Sequence, residues 1–241
     1  MTNQKTAILI FANSAQQERI VKPFRKSADL FGTLNKQTLT KVKKTGLPYF
    51  HFSEKEQVGN TFGERYVHAI QSVYNKGFDT IITLGNDTPH LQSRHISETA
   101  RKLQNNPVVL GPSKDGGYYM MGLRKSHFDA SLFLKLPWQT SNLNRRISLL
   151  FRSKNIQIEW LEILTDIDSI SDVKVVLNSF RKTSCRLKKI LCSLLISEKI
   201  LFELAPIHFQ KTLQKIPFNK GSPSIASYQN IRKVKLFNVS G

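Results

Sequence analysis

Apolar residues recur along the chain in two rhythms. Short runs rich in Ile, Val, Leu and Phe stand at 6–11 (TAILIF), 48–52 (PYFHF), 78–84 (FDTIITL), 107–111 (PVVLG) and 156–164 (IQIEWLEIL). Bounded by turn residues, they predict strands. Between them, apolar positions return every three or four residues. Residues 26–44 carry Leu30, Leu34, Leu39 and Val42 on roughly one side and stop at Gly46. Residues 62–77 stop at Gly77, and 92–104, 141–153 (Leu143, Ile147, Leu150, Phe151) and 169–180 keep the same spacing. These predict amphipathic helices. Residues 116–123 (GGYYMMGL) read as one more strand after a tight turn. The alternation predicts an α/β fold: a three-layer α/β/α arrangement around a mostly parallel sheet. Such sheets bind ligands beyond the carboxyl ends of their strands. Trp160 is expected to pack in the sheet, and His68 and His95 to be surface or satisfied side chains.

The pattern changes near residue 183. Residues 185–204 place Leu187, Ile190, Leu191, Leu194, Leu195 and Leu201 at helical spacing, with Lys188, Lys189 and Lys199 elsewhere. Two readings stay open: a helix packed on the domain, or an interfacial helix on an anionic membrane. The closing stretch PFNKGSPSIASYQNIRKVKLFNVSG has no core pattern and reads as an extended basic tail. The expected division is therefore a domain over 1–182 and a basic C-terminal helix and tail over 183–241.

Charge sharpens this division. The chain has 36 Lys and Arg against 17 Asp and Glu. Residues 181–241 hold twelve of the bases but only two acids, Glu198 and Glu203. Such a field favours polyanions: phosphorylated substrates, anionic lipid or nucleic acid. No helix-turn-helix, zinc finger or aromatic RNA-binding motif is visible, so nucleic acid is not the expected partner. No apolar run approaches the ~18 residues that span a bilayer. TAILIFA lacks a basic leader and reads as a first strand rather than a signal peptide. Cys185 and Cys192 lie on one predicted helix and cannot easily bridge. A cytoplasmic location is the expectation, with the basic C-terminal region allowing contact at the inner membrane face.

The candidate chemistry lies at strand ends. In TLGNDTPHL (83–91), Asp87 comes after a predicted strand in a glycine-containing loop. A carboxylate there suits a divalent cation, since Mg²⁺ takes one or two carboxylates together with substrate phosphates. It also suits a plain turn before Thr88-Pro89. TDIDSISD places Asp166, Asp168 and Asp172 after another strand and before a helix. In a parallel sheet both loops leave the same edge, so distant carboxylates can share one ion. A helix cap is the competing role for Asp168. In GPSKDGGYYMMGL (111–123), Asp115 precedes two glycines that permit close backbone approach, and of Tyr118 and Tyr119 only one can face a cleft.

The order GNDTPHL, GPSKDGGYYMMGL, PWQT, DIDSISD, together with VGNTFGER (58–65), resembles a bacterial family of glycosyltransferase-A-like proteins, the nucleotide-diphospho-sugar transferases. Its members are described as domains of unknown function or as glycosyltransferases, and the guanylyltransferases of molybdenum cofactor and phospholactate are distant relatives. The resemblance spans residues 6 to about 180. It implies a metal-dependent glycosyltransferase with a nucleotide-diphospho-sugar donor. Asp87 and Asp168 would hold Mg²⁺ or Mn²⁺, with Asp166 as the alternative second contact. Phe11, Ala12, Asn13, Lys22, Arg25, Gly85 and Asn86 would line the donor nucleotide. Gly116, Gly117, Tyr118, Trp138 and Thr140 would line the sugar or acceptor, with Asp115 as the catalytic carboxylate. A nucleotidyltransferase of the guanylyltransferase type is the alternative. The first loop departs from the family, which has a glycine and Lys-Thr-Arg-Leu there. This chain reads FANSAQQERIVKPFRKSADLF, with no glycine between Phe11 and Phe31. That departure admits a third reading: an inactive scaffold binding a partner or an anionic membrane.

Overall fold

The computed structural model describes residues 5–179 and 183–204. In chain order the elements are β1 (Thr6–Phe11), α1 (Ala15–Val21), α2 (Ser27–Lys43), β2 (Tyr49–Phe52), α3 (Phe62–Tyr74), β3 (Thr80–Leu84), α4 (Ser93–Lys102), β4 (Val108–Pro112), β5 (Tyr118–Arg124), α5 (Ala130–Leu134), α6 (Leu143–Ser153), β6 (Ile158–Trp160), α7 (Ile170–Leu177) and α8 (Cys185–Leu204). The strands form a six-stranded sheet in the order β2-β1-β3-β5-β4-β6. All neighbours pair parallel except those of β5, which runs antiparallel to both β3 and β4.

Alternation along each strand makes the two faces. Ala7 and Leu9 of β1, Ile81 of β3, and Val108 and Leu110 of β4 enter one core with α3, Phe133 of α5, and Ile147 and Phe151 of α6. Ile8, Ile10, Ile82 and Val109 enter the other, with Val42 of α2 and Ile96 of α4. This is the expected three-layer arrangement. A third core lies between α2 and the last two helices. There Leu30, Phe31 and Leu34 meet Val173 and Val176 of α7, and Leu187, Leu191 and Leu194 of α8. Of the two readings of the final helix, the packed one holds for these three leucines. The expected tail beyond 204 lies outside the described residues. Among the described residues, no helix is long and apolar enough to cross a membrane.

Two local expectations are corrected. Residues 15–21 form a helix where a loop was expected; Ser14 caps it by accepting from the Gln17 N–H at 3.2 Å. The run at 156–164 contributes only three strand residues. β6 pairs with β4 alone at the sheet's end, so Trp160 is 44% exposed rather than packed. His95, by contrast, is buried; its Nδ1 accepts from the Gln92 N–H at 3.1 Å and its Nε2 lies 2.7 Å from Glu162 Oε1.

Candidate functional site

The parallel strands deliver their connecting loops to one edge of the sheet. Asp87 leaves β3, Asp115 leaves β4, and Asp166 and Asp168 come after β6. The backbone ties these loops together: Ile167 N–H donates to Asp87 O at 2.9 Å, and Lys114 N–H to Leu164 O at 3.0 Å. The Thr88 hydroxyl donates to Asp166 Oδ1 at 2.5 Å. Ser169, not Asp168, caps α7, in a capping box with Asp172, whose Oδ2 accepts the N–H groups of Ser169 and Asp168 at 2.8 and 3.2 Å. The Asp168 side chain is thereby left for another partner.

That partner is Lys22, from the end of α1. Its ammonium lies 2.7 Å from Asp168 Oδ1 and 3.2 Å from Asp87 Oδ2. It also donates to Ile167 O at 3.2 Å and sits 4.9 Å from the Phe31 ring centroid. Glu18, one turn earlier on α1, brings Oε2 to 4.0 Å from the same nitrogen. Oε2 is buried and has no hydrogen-bond partner among the described residues. So Asp87 and Asp168 converge, but on a lysine. Burial works to lower the Lys22 pKa, and Asp87, Asp168 and Glu18 outweigh it and hold it well above the ordinary lysine range. Burial pushes Asp87 and Glu18 above the ordinary carboxyl range, against the pull of Lys22. Burial and the neighbouring Asp87 push Asp166 well above it.

The chemistry of this donor set fits a divalent cation. It offers hard carboxylate oxygens from two loops and an orphaned buried oxygen on Glu18. Among the described residues no three His, Cys, Asp or Glu side chains are already grouped to hold an ion.

The first loop is built differently from a phosphate-wrapping turn. The Glu54 carboxylate accepts the Ser14 N–H and the Ser14 hydroxyl, each at 2.7 Å. Asn13 is fixed through its carbonyl, which accepts from Asn35 Nδ2 at 3.1 Å. Asn86, 4% exposed, spends its amide on Asn35 Oδ1 at 2.7 Å. Ala12 is buried and pairs its N–H with Phe52 O. Gly85 sits directly against Asp87 Oδ1. Arg25 is exposed.

On the other side of the edge, Asp115 closes its own turn. Oδ1 accepts from the Ser113 hydroxyl and, at 3.1 Å, from the Gly117 N–H. Gly116 has φ +93°, and a Cβ there would overlap the Ser141 carbonyl. Asn144 N–H donates to Gly116 O at 3.0 Å, and the Asn144 side-chain amide donates to Gly117 O. The two glycines therefore dock the start of α6. Beside them Phe11, Phe62, Tyr66, Tyr118 and Trp138 form a continuous aromatic cluster, with Trp138 4.9 Å from Tyr66 between ring centroids. A Cβ on Gly63 would come within 2.7 Å of the indole, so that glycine lets Trp138 lie on α3. Tyr66 donates or accepts with Thr83 Oγ1 at 2.5 Å, and burial raises its pKa to about 12. Tyr119 instead turns to the opposite face and donates to Glu162 O at 3.0 Å. Thr140 is exposed and donates to Pro137 O.

Sequence reasoning missed Glu18, Asn35, Glu54 and Tyr66. None stands in a motif. Glu18 and Glu54 sit in polar stretches (AQQERIV, FSEKEQ) where a site carboxylate looks like any solvated one.

Comparison with known proteins bears on the fold. Residues 35–140 match the family described as "Uncharacterized protein conserved in bacteria (DUF2064)". A crystal structure from Desulfovibrio desulfuricans G20, provisionally named a nucleotide-diphospho-sugar transferase, superposes with a TM-score of 0.68 at 21% identity, covering 82% of this chain and 96% of its own. The fold is the nucleotide-diphospho-sugar transferase fold. A cytidylyltransferase from Leptospira borgpetersenii aligns at 16% identity and TM-score 0.42, over 85% of this chain and 99% of its own. The 4-diphosphocytidyl-2C-methyl-D-erythritol synthase of Anaerococcus prevotii aligns at 10% identity and TM-score 0.46, over 71% and 94%. No curated protein matches the chain in sequence. The family match and the fold agree with the resemblance that the motifs carry.

Proposed function

We propose that the chain is a transferase whose donor is a nucleotide-linked diphosphate, with glycosyl transfer as its reaction. The observation that carries this is the meeting of Asp87 and Asp168, 81 residues apart in sequence, on one cation at the carboxyl edge of the sheet. Nothing in the apolar core needs charges there. Asp87 and Asp168 would hold Mg²⁺ or Mn²⁺, which when bound supplies Lewis-acid charge against the leaving diphosphate. Lys22 and Arg25 would meet the donor phosphates. The half-buried rings of Phe11, Tyr118 and Trp138 would receive a sugar or base. Asp115 commits Oδ1 to its own turn, and Oδ2 is the oxygen assigned to an acceptor hydroxyl.

A second reading, a fold kept without transfer, is favoured by Glu54, whose carboxylate already takes the first-loop N–H that a phosphate would use. Thermal stability against a panel of nucleotides and nucleotide-sugars, with and without Mn²⁺, separates the two, because a ligand that binds only the folded state raises the midpoint. A metal-dependent rise with one nucleotide class, lost in Asp87→Asn, supports the transferase. No rise with any ligand supports the scaffold. Product analysis then distinguishes glycosyl transfer, which releases a nucleoside diphosphate, from nucleotidyl transfer, which releases pyrophosphate from a nucleoside triphosphate.

A further inference from the structure

Lys22 is held as completely as an ammonium can be. Three N–H donors face three acceptors: Asp168 Oδ1 at 2.7 Å, Asp87 Oδ2 at 3.2 Å and Ile167 O at 3.2 Å. The nitrogen also lies 4.9 Å from the Phe31 ring centroid. An ammonium has three hydrogens to give, so none is left for a phosphate. Yet the carboxylates are not saturated. Glu18, with only 7% of its side chain exposed, aims Oε2 at the same nitrogen from 4.0 Å, and that oxygen accepts no hydrogen bond among the described residues. Three carboxylates thus surround one positive charge.

We infer that Lys22 is a tethered stand-in cation: its ammonium and a divalent ion compete for Asp87 and Asp168, and binding of the ion frees Lys22 for the donor diphosphate. An ion on these carboxylates would sit beside the ammonium, which touches Asp168 Oδ1 and Asp87 Oδ2. A divalent ion and an ammonium on the same carboxylates would be like charges in close contact in a partly buried place. Two of the three contacts that now hold the lysine are to the carboxylates the ion would take. Once displaced, the ammonium stays tethered to the end of α1, at the same edge. Ion binding and diphosphate binding are then linked, and each strengthens the other by the same factor. The linkage rests on the transferase reading. The competition itself does not.

The test measures Mn²⁺ alone, with no nucleotide present, by electron paramagnetic resonance of the free ion. Lys22→Met should bind Mn²⁺ tighter than the wild type by roughly tenfold or more, because the competing charge is gone. Adding Asp87→Asn to it should abolish the gain. Equal affinity in wild type and Lys22→Met, weaker affinity in the variant, or no binding by either would overturn the inference. Lys22→Gln keeps an amide donor without the charge and serves if the Met variant does not fold. If neither folds, ¹⁵Nζ spectra of the wild-type lysines decide under a Mg²⁺ titration. A protected Lys22 resonance that is lost while surface lysines stay unshifted supports competition; one that persists throughout the titration refutes it. If Mn²⁺ behaves as expected and no nucleotide-sugar binds, the transferase reading fails and the competition stands.

Discussion

Glu54 grips Ser14 twice: one carboxylate oxygen accepts the backbone N–H and the other the hydroxyl, both at 2.7 Å. The pair closes the first loop across forty residues of sequence and fixes the residue that caps α1. Partial burial works to raise the Glu54 pKa, and the two Ser14 bonds outweigh it and bring it below the ordinary value. A depressed carboxyl pKa contributes stability that is present above the unfolded pKa of about 4.3 and is lost as pH falls through the folded value. Glu54→Ala should cost about 1–2 kcal/mol at neutral pH, from two lost bonds. The cost should shrink on acidification. Urea denaturation at several pH values measures it, and a cost that does not change with pH would contradict the role given to these two bonds.

The Lys22 cluster predicts a steeper loss. Removing the ammonium leaves Asp87, Asp168 and Glu18 facing one another without compensation. Breaking a buried ion pair by deleting one partner costs about 3–5 kcal/mol. The two aspartates are 28% and 27% exposed, so Lys22→Ala is expected at or below the bottom of that range, and Asp168→Asn placed on top of it should recover part of the loss. A double-mutant cycle in urea reports the coupling. Additive effects would mean that the two side chains do not act together.

Lys41 predicts a gain. It lies on α2 with its ammonium 3.4 Å from Pro89 O, and burial lowers its pKa to about 8. The unfolded chain binds this proton up to the ordinary pKa of about 10.4. Between pH 8 and that value the unfolded state carries more protons, so stability rises with pH through the window. Lys41→Met should therefore stabilise the protein at neutral pH, on the order of 2 kcal/mol. The advantage should fade towards pH 10.5. Thermal midpoints of both proteins across this range check the sign.

Gly116 predicts a structural failure rather than a chemical one. Its φ is +93°, and an added Cβ would strike the Ser141 backbone. Gly116→Ala should cost about 2–4 kcal/mol, combining strain with a displaced helix start. Gly117 has an ordinary φ, and an added Cβ there would come 3.2 Å from Ser113 Oγ, the tip of a side chain. Gly117→Ala is expected to cost less. Comparing the two by thermal unfolding separates backbone need from simple crowding.

Much of the fold was legible because it is local. The period-two runs that make β1, β3 and β4 and the three-to-four spacing of α2, α3 and α6 are written in consecutive residues. Capping chemistry was legible too: Ser169 and Asp172 sit where helix starts need them. The edge carrying Asp87 and Asp168 came from strand–helix alternation alone. α1 was not legible, because AQQERIV has a single pair of adjacent apolar residues and no stripe. Trp160 was misplaced because nothing in IQIEWLEIL tells an edge strand from a central one.

The three-layer α/β architecture and the carboxylates that come after two strands are written in neighbours a few residues apart. Tertiary structure alone decided the rest. It slid β5 antiparallel between β3 and β4. It turned Asp115 and the two glycines into a docking turn for α6. It brought Lys22 from 65 residues away to Asp87 and chose an ammonium as the cation that joins the two acids. Those outcomes depend on distance, burial and charge between groups remote in sequence. Electrostatic energy is set by separation in space, and only the packed chain fixes it.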